Sequence, residues 1–144
     1  MLKLAPIFSL FVIFLTSACS KDENGEQIVQ NQLLGSWTLR YYELEESGES
    51  TRYDAQNGEK WTFEIGGVLL SYNYRVEITA DRETIHVPVN ERGSYMLSSD
   101  GKHAEVTIAD RHFLCQILTL DAMNLTLMVE NNGQKQRYYF VRST

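Results

Sequence analysis

Apolar and polar residues alternate with a period of two along most of the chain after Ser36, and no stretch of comparable length follows the helical period. Trp37, Leu39 and Tyr41 alternate with Thr38, Arg40 and Tyr42. Trp61, Phe63 and Ile65 alternate with Thr62 and Glu64. Val68, Leu70, Tyr72, Tyr74, Val76 and Ile78 hold one phase over a long run, against Leu69, Ser71, Asn73, Arg75, Glu77 and Thr79. Further rows follow at Ile85–Val89, Tyr95–Leu97, Ala104–Ile108, Phe113–Ile117, Leu125–Val129 and Tyr138–Phe140. Successive side chains on a strand point to opposite faces, so each row predicts a strand with one buried face. Leu114 and Leu118 make the strand around Cys115 apolar on both faces. Pro88 has no N–H to give to a ladder, which places its strand at an edge or a bulge.

Turn residues punctuate the rows at Gly66-Gly67, Ala80-Asp81, Glu91-Arg92-Gly93, Asp100-Gly101, Asp121-Ala122 and Asn132-Gly133. Asp-Gly and Asn-Gly suit tight hairpins because both central residues take positive φ. Short strands joined by hairpins predict an all-β fold, a small up-and-down antiparallel β-barrel of about eight strands. Closure of such a meander removes its exposed edges. Glu45 to Glu59 is polar and is expected as the one long loop, between the first two strands. Ile28 to Leu34 fits a single helical turn ahead of the first strand.

The start of the chain has a different character. Lys3 is the only charge in its first 20 residues, and an apolar run covers Leu4 to Leu15. That run is too short to span a bilayer, which takes about 20 residues, but has the length of a signal-peptide core. Small residues Thr16, Ser17 and Ala18 lead into Cys19. This arrangement resembles the lipobox of bacterial lipoproteins of the Bacteroidota type. The resemblance implies cleavage before Cys19, a diacylglycerol on its thiol and an acyl chain, such as palmitate, on its amine. One acyl chain holds a protein to a membrane reversibly, whereas several hold it stably. Lys21, Asp22 and Glu23 follow, and resemble the export signal of surface-exposed lipoproteins in the same group. The expected organisation is a signal peptide over 1–18, a lipidated cysteine and flexible tether over 19–32, and a barrel domain over 33–144. The expected location is the outer membrane, lipid-anchored and facing the cell exterior.

Composition narrows the chemistry. Apolar residues make up 43% and charged residues 22%, as in ordinary folded domains. A net charge of −6 argues against nucleic acid as a partner. With Cys19 acylated, Cys115 has no intramolecular disulfide partner, so the core alone must hold the fold. No phosphate-binding glycine loop, metalloprotease helix motif or nucleophile elbow is present. His112 and Cys115 are three apart on one predicted strand, so they point to opposite faces and form no dyad. His86, His103 and His112 lack metal-ligand spacing. Glu43, Glu45, Glu46 and Glu49 could gather calcium, but such a run reads more simply as a solvated loop. These features predict a non-enzymatic protein with no metal and no cofactor.

The phrase Leu34-Gly35-Ser36-Trp37 opening the first strand resembles the G-x-W signature of lipocalins. Leu125-Thr126-Leu127 before an Asn-Gly hairpin and the chain end Tyr138-Tyr139-Phe140-Val141-Arg142 resemble small bacterial lipocalin-like domains. The likeness implies that Trp37 plugs the closed end of the barrel beneath Arg142 on the last strand. It also implies a small apolar or amphipathic ligand in the barrel mouth, with Tyr41, Tyr72 and Tyr74 as the expected lining. The alternative is a filled barrel that binds a protein or glycan through its loops, chiefly Glu45 to Glu59. Thirteen aromatic residues in the mature chain fit either case. An eight-stranded barrel has an interior just wide enough to fill with side chains or to hold one small ligand.

Overall fold

A computed structural model describes residues 20–55 and 58–144 of the chain. The expected signal peptide and the lipidation site Cys19 lie outside the described residues. One α-helix, α1 (Ser20–Leu33), precedes nine strands: β1 (Gly35–Glu46), β2 (Glu49–Asp54), β3 (Lys60–Glu64), β4 (Val68–Ile78), β5 (Thr84–Leu97), β6 (His103–Ile108), β7 (Arg111–Leu120), β8 (Asn124–Asn131) and β9 (Gln134–Arg142). The strands pair antiparallel in the order β2-β1-β3-β4-β5-β6-β7-β8-β9, and β1 also pairs with β9. Eight strands therefore close into a barrel, and β2 is added outside the ring.

Two expectations about the chain before and after β1 are corrected. The polar stretch read as a flexible tether is helical over Ser20–Leu33. Lys, Glu and Gln are good helix formers, and the helix is tied down at its C-terminal end, where Leu33 is 1% exposed. The stretch read as one long loop contains β2, which forms a hairpin with the second half of β1 from Tyr41↔Asp54 to Glu46↔Glu49. All six residues of β2 are exposed, so no buried row marked it as a strand.

The double role of β1 follows from its length. Its first residues, Gly35 to Thr38, pair with β3, its later ones pair with β2, and β9 runs along its other edge from Trp37↔Arg142 to Glu45↔Lys135. A β-bulge falls between Leu39 and Tyr41. One extra residue reverses the in-out phase beyond it. Trp37 and Leu39 face inward before the bulge, and Tyr42 faces inward after it.

The turn expected at Glu91-Arg92-Gly93 is also corrected: β5 runs straight through it. Gly93 is there because β6 approaches too closely for a side chain. A Cβ on it would lie 2.0 Å from the Thr107 carbonyl oxygen. Beyond Gly93 towards the β4–β5 turn, β5 pairs only with β4, since the β6 ladder ends at Gly93↔Ile108. Pro88 sits in this edge segment, where its missing N–H costs no ladder bond. At Asn132-Gly133 the expected hairpin forms, with φ of 50° and 80°.

The core fills one end of the barrel. Trp37, Phe63, Leu69, Tyr95, Val106, Ile108, Leu125 and Phe140 are buried there with Leu33 from α1. The end is closed by Trp37 and Arg142. Trp37 is fully buried, and its Nε1 donates to the Leu33 carbonyl at 2.8 Å. The Arg142 guanidinium lies 3.9 Å from the Trp37 ring centroid. Its nitrogens donate to the carbonyls of Leu34, Gln32 and Ala122. Gly35 has a φ of 112°, and a Cβ on it would meet Arg142 Nη1 at 2.8 Å, so the glycine both turns the chain and admits the guanidinium.

This arrangement predicts coupled stability at the closed end. Trp37→Ala should cost about 3–5 kcal/mol, as expected for a large buried aromatic. Arg142→Ala should cost about 1–3 kcal/mol through its lost charged hydrogen bonds. In urea unfolding the double variant should fall short of the sum by about 0.5–2 kcal/mol, because both single changes remove one shared contact. Strict additivity would show that ring and guanidinium do not share it.

Candidate functional site

At the end opposite Trp37 the barrel is open. Inward residues there are smaller or more polar than the rings below, and they enclose a cavity of about 400 Å³. A volume of this size is at the lower end of the range for small-molecule sites. Its wall carries Leu39, Trp61, Phe113, Cys115, Leu127, Val129 and Phe140, and its upper part carries Glu59, Ser71, Asn73, Arg111, Gln136 and Tyr138.

Strand register explains why these residues meet. Residues paired across antiparallel strands share a face. Tyr42 pairs with Tyr138, Tyr138 with Leu127, and Leu127 with Ile117, which makes one continuous inward row. Leu44, Gln136, Val129, Cys115 and Ala104 make the next row towards the mouth of β1 and β9. Tyr42 stacks on Tyr53 at 5.1 Å and on Tyr138 at 6.0 Å between ring centroids. The Tyr138 hydroxyl donates to Gln136 Oε1 at 2.7 Å, and Asn73 Nδ2 donates to Ser71 Oγ at 3.1 Å.

The expected lining tyrosines lie elsewhere or only partly there. Tyr41 is outside the barrel, stacked on Tyr139 at 4.4 Å with the Arg52 guanidinium 3.7 Å from its ring centroid. The bulge in β1 put it there and brought Tyr42 inside in its place. Tyr72 is also outside, in a groove with Lys60, Thr62, Leu70 and Arg92. The inward phase of β4 is Leu69, Ser71 and Asn73, the opposite of the more apolar phase. Lys60 and Arg92 flank the outer row, and long basic side chains cover apolar surface with their stems. Tyr74 touches the cavity at its rim, and its hydroxyl accepts from Tyr72 at 3.1 Å.

Missed residues had a readable signal. Glu59 shares the phase of Trp61 and Phe63, and Arg111 shares that of Phe113 and Cys115. Extending each alternating row by one step would have placed both at the cavity. Burial raises the Glu59 carboxyl above its ordinary range. Arg111 pairs with Glu91 at 3.3 Å. Burial is the first cause of the raised Tyr138 pKa, with Cys115 and Tyr42 adding to it and Arg111 opposing it.

The other candidates lie outside the cavity, except Cys115, which is part of its wall. Glu43 accepts from the Tyr139 hydroxyl at 3.0 Å, and Glu45 pairs with Arg137 at 2.8 Å, so two of the four clustered acids are engaged across β1 and β9. Among the described residues no group of three or more His, Cys, Asp or Glu side chains could hold a metal ion. His112 is exposed on the outer face, 3.9 Å from Glu105, while Cys115 is buried inside.

No family model and no curated protein matches the chain. Among solved structures, a lipocalin-like protein from Bacteroides uniformis is 18% identical, with a TM-score of 0.49 over 78% of this chain and 99% of that one. A de novo designed fluorescence-activating β-barrel is 13% identical, with a TM-score of 0.44 over 80% of this chain and 97% of that one.

Burial pushes the Cys115 thiol up to about 12. Near pH 8 its thiolate is therefore about one part in ten thousand, and the thiolate is the nucleophile. Iodoacetamide should leave Cys115 unmodified in the folded protein and alkylate it rapidly in urea. Fast alkylation of the folded protein, followed by mass spectrometry, would contradict the raised thiol pKa.

Proposed function

We propose that this protein is a non-enzymatic binding barrel that takes one small apolar or amphipathic molecule into its open end. The observation that carries this reading is the cavity of about 400 Å³ between Trp61, Phe113, Phe140 and the polar rim. Apolar walls supply affinity through buried area, and a few polar groups at one end orient the ligand. A filled barrel acting through the Glu45 to Glu59 segment fits less well, because the interior retains space and β2 occupies that segment. The protonated, buried thiol of Cys115 favours binding over nucleophilic chemistry.

We further propose that the chain is a lipoprotein anchored through Cys19 in the outer membrane and exposed at the cell surface. The lipobox-like Thr16-Ser17-Ala18-Cys19 and the Lys21-Asp22-Glu23 run support this reading. Helix α1 joins the barrel at its closed end, beneath Trp37.

Two measurements test these readings. Phenylnaphthylamine, a neutral apolar fluorophore, should show saturable enhancement at one site per chain, and Val129→Trp should abolish it by filling the cavity while the fold persists by circular dichroism. Non-saturable or unchanged fluorescence would defeat the pocket reading. Separately, Cys19→Ala should abolish incorporation of radiolabelled palmitate and release the protein from the membrane fraction. Continued labelling of that variant would defeat the anchor reading.

A further inference from the structure

The charges around the cavity specify more than its apolar wall does. Glu59 borders the cavity at the start of β3, half-buried, with no hydrogen bond or ion pair to its carboxylate among the described residues. Its chain neighbour Lys60 offers no neutralisation there, because its side chain belongs to the outer groove with Tyr72. The cation on the rim, Arg111, is already paired with Glu91 at 3.3 Å. Among the described residues the charged groups lining the cavity are Glu59 and Arg111, and Glu91 from outside the lining already draws on the guanidinium.

Two of the polar groups at the cavity already donate elsewhere. The Tyr138 hydroxyl donates to Gln136, and the Asn73 amide donates to Ser71. A ligand carboxylate would enter beside the half-buried Glu59 carboxylate, and like charges in a poorly solvated site repel strongly. The walls favour the opposite sign. Tyr42, Trp61, Tyr74, Phe113, Tyr138 and Phe140 all border the cavity, and the faces of aromatic rings attract cations.

Building on the pocket reading, we infer that the polar end of the ligand is a cation, an ammonium carried on an alkyl or aryl body, with Glu59 as its counter-charge. The apolar body occupies the space between Leu39, Phe113, Leu127 and Phe140, and the ammonium lies at the rim. Glu59 then gains a partner that no described residue gives it, and charge-assisted contacts of this kind are the stronger ones.

Three probes that share one chain and differ in the head group separate this inference from the pocket reading: decyltrimethylammonium, decanol and decanoate, each titrated calorimetrically below its micelle-forming concentration. The ammonium should bind about tenfold tighter than decanol, with decanoate the weakest. Glu59→Gln should bring the ammonium's affinity down to that of decanol for the same variant, with circular dichroism reporting that the variant is folded. If decanol binds and the ammonium binds no better, the cation inference fails while the pocket stands. An ammonium preference that survives undiminished in Glu59→Gln likewise overturns the role of Glu59. If none of the three binds, the pocket reading fails and this inference fails with it.

Discussion

The Arg142 guanidinium over the Trp37 indole is the contact on which the barrel depends. Trp37 begins the first strand and Arg142 ends the last, so their meeting is the chain's own closure. The same guanidinium donates to carbonyls at Gln32 and Leu34, where α1 ends. Helix C-termini leave carbonyls without intrahelical partners and carry partial negative charge. No basic residue stands in the last turn of α1. The cation that serves it comes from a strand 108 residues further along. One side chain therefore ties helix, first strand and last strand into a single floor.

Everything above that floor is arranged by register. Fixing Trp37 opposite Arg142 fixes which residues of β9 face inward, and the bulge in β1 then decides which tyrosine does. Had β1 continued without the extra residue, Tyr41 would have entered the barrel and Tyr42 would have met solvent. Large rings at the floor, namely Trp37, Phe63 and Tyr95, pack tightly: Phe63 meets Tyr95 edge-on at 5.0 Å. Nearer the mouth the inward positions pass to Ser71, Asn73 and Gln136, which fill less volume and want polar neighbours. The cavity lies where this change occurs.

The rim has a consistent electrostatic logic. Burying a charge costs free energy unless it is paired. The partly buried Glu91 pairs with the exposed Arg111, and Glu43 and Glu45 are engaged outside the barrel by Tyr139 and Arg137. Among the described residues Glu59 has no such partner, and it lies half-buried beside aromatic walls with its pKa raised by desolvation. Groups whose burial works against them are a recognised mark of binding sites, and this one sits at the open end of the cavity.

The amino-acid sequence by itself determined the all-β class, most strand positions and the Asn132-Gly133 hairpin, through two-residue periodicity and turn chemistry. The pairing of Trp37 with Arg142 was implied only by the resemblance of Gly35-Ser36-Trp37 to a known signature. The sequence could not determine β2, because a strand exposed on every residue leaves no buried row. Nor could it tell that Gly93 serves a close approach of β6 rather than a turn, since a glycine looks the same in either role. The inner face of β4 was hidden for a related reason. Alternation separates two faces but does not say which one is inside, and here the more apolar face lies outside, with Leu70 and Tyr72 beside Lys60 and Arg92 and with Val76 and Ile78 exposed. The cavity's residues were legible as phases of Trp61 and Phe113, yet only the tertiary structure set those phases against each other. A one-residue bulge in β1, invisible to any pattern, exchanged Tyr41 for Tyr42 at the site, because in a strand a single inserted residue turns every later side chain to the opposite face.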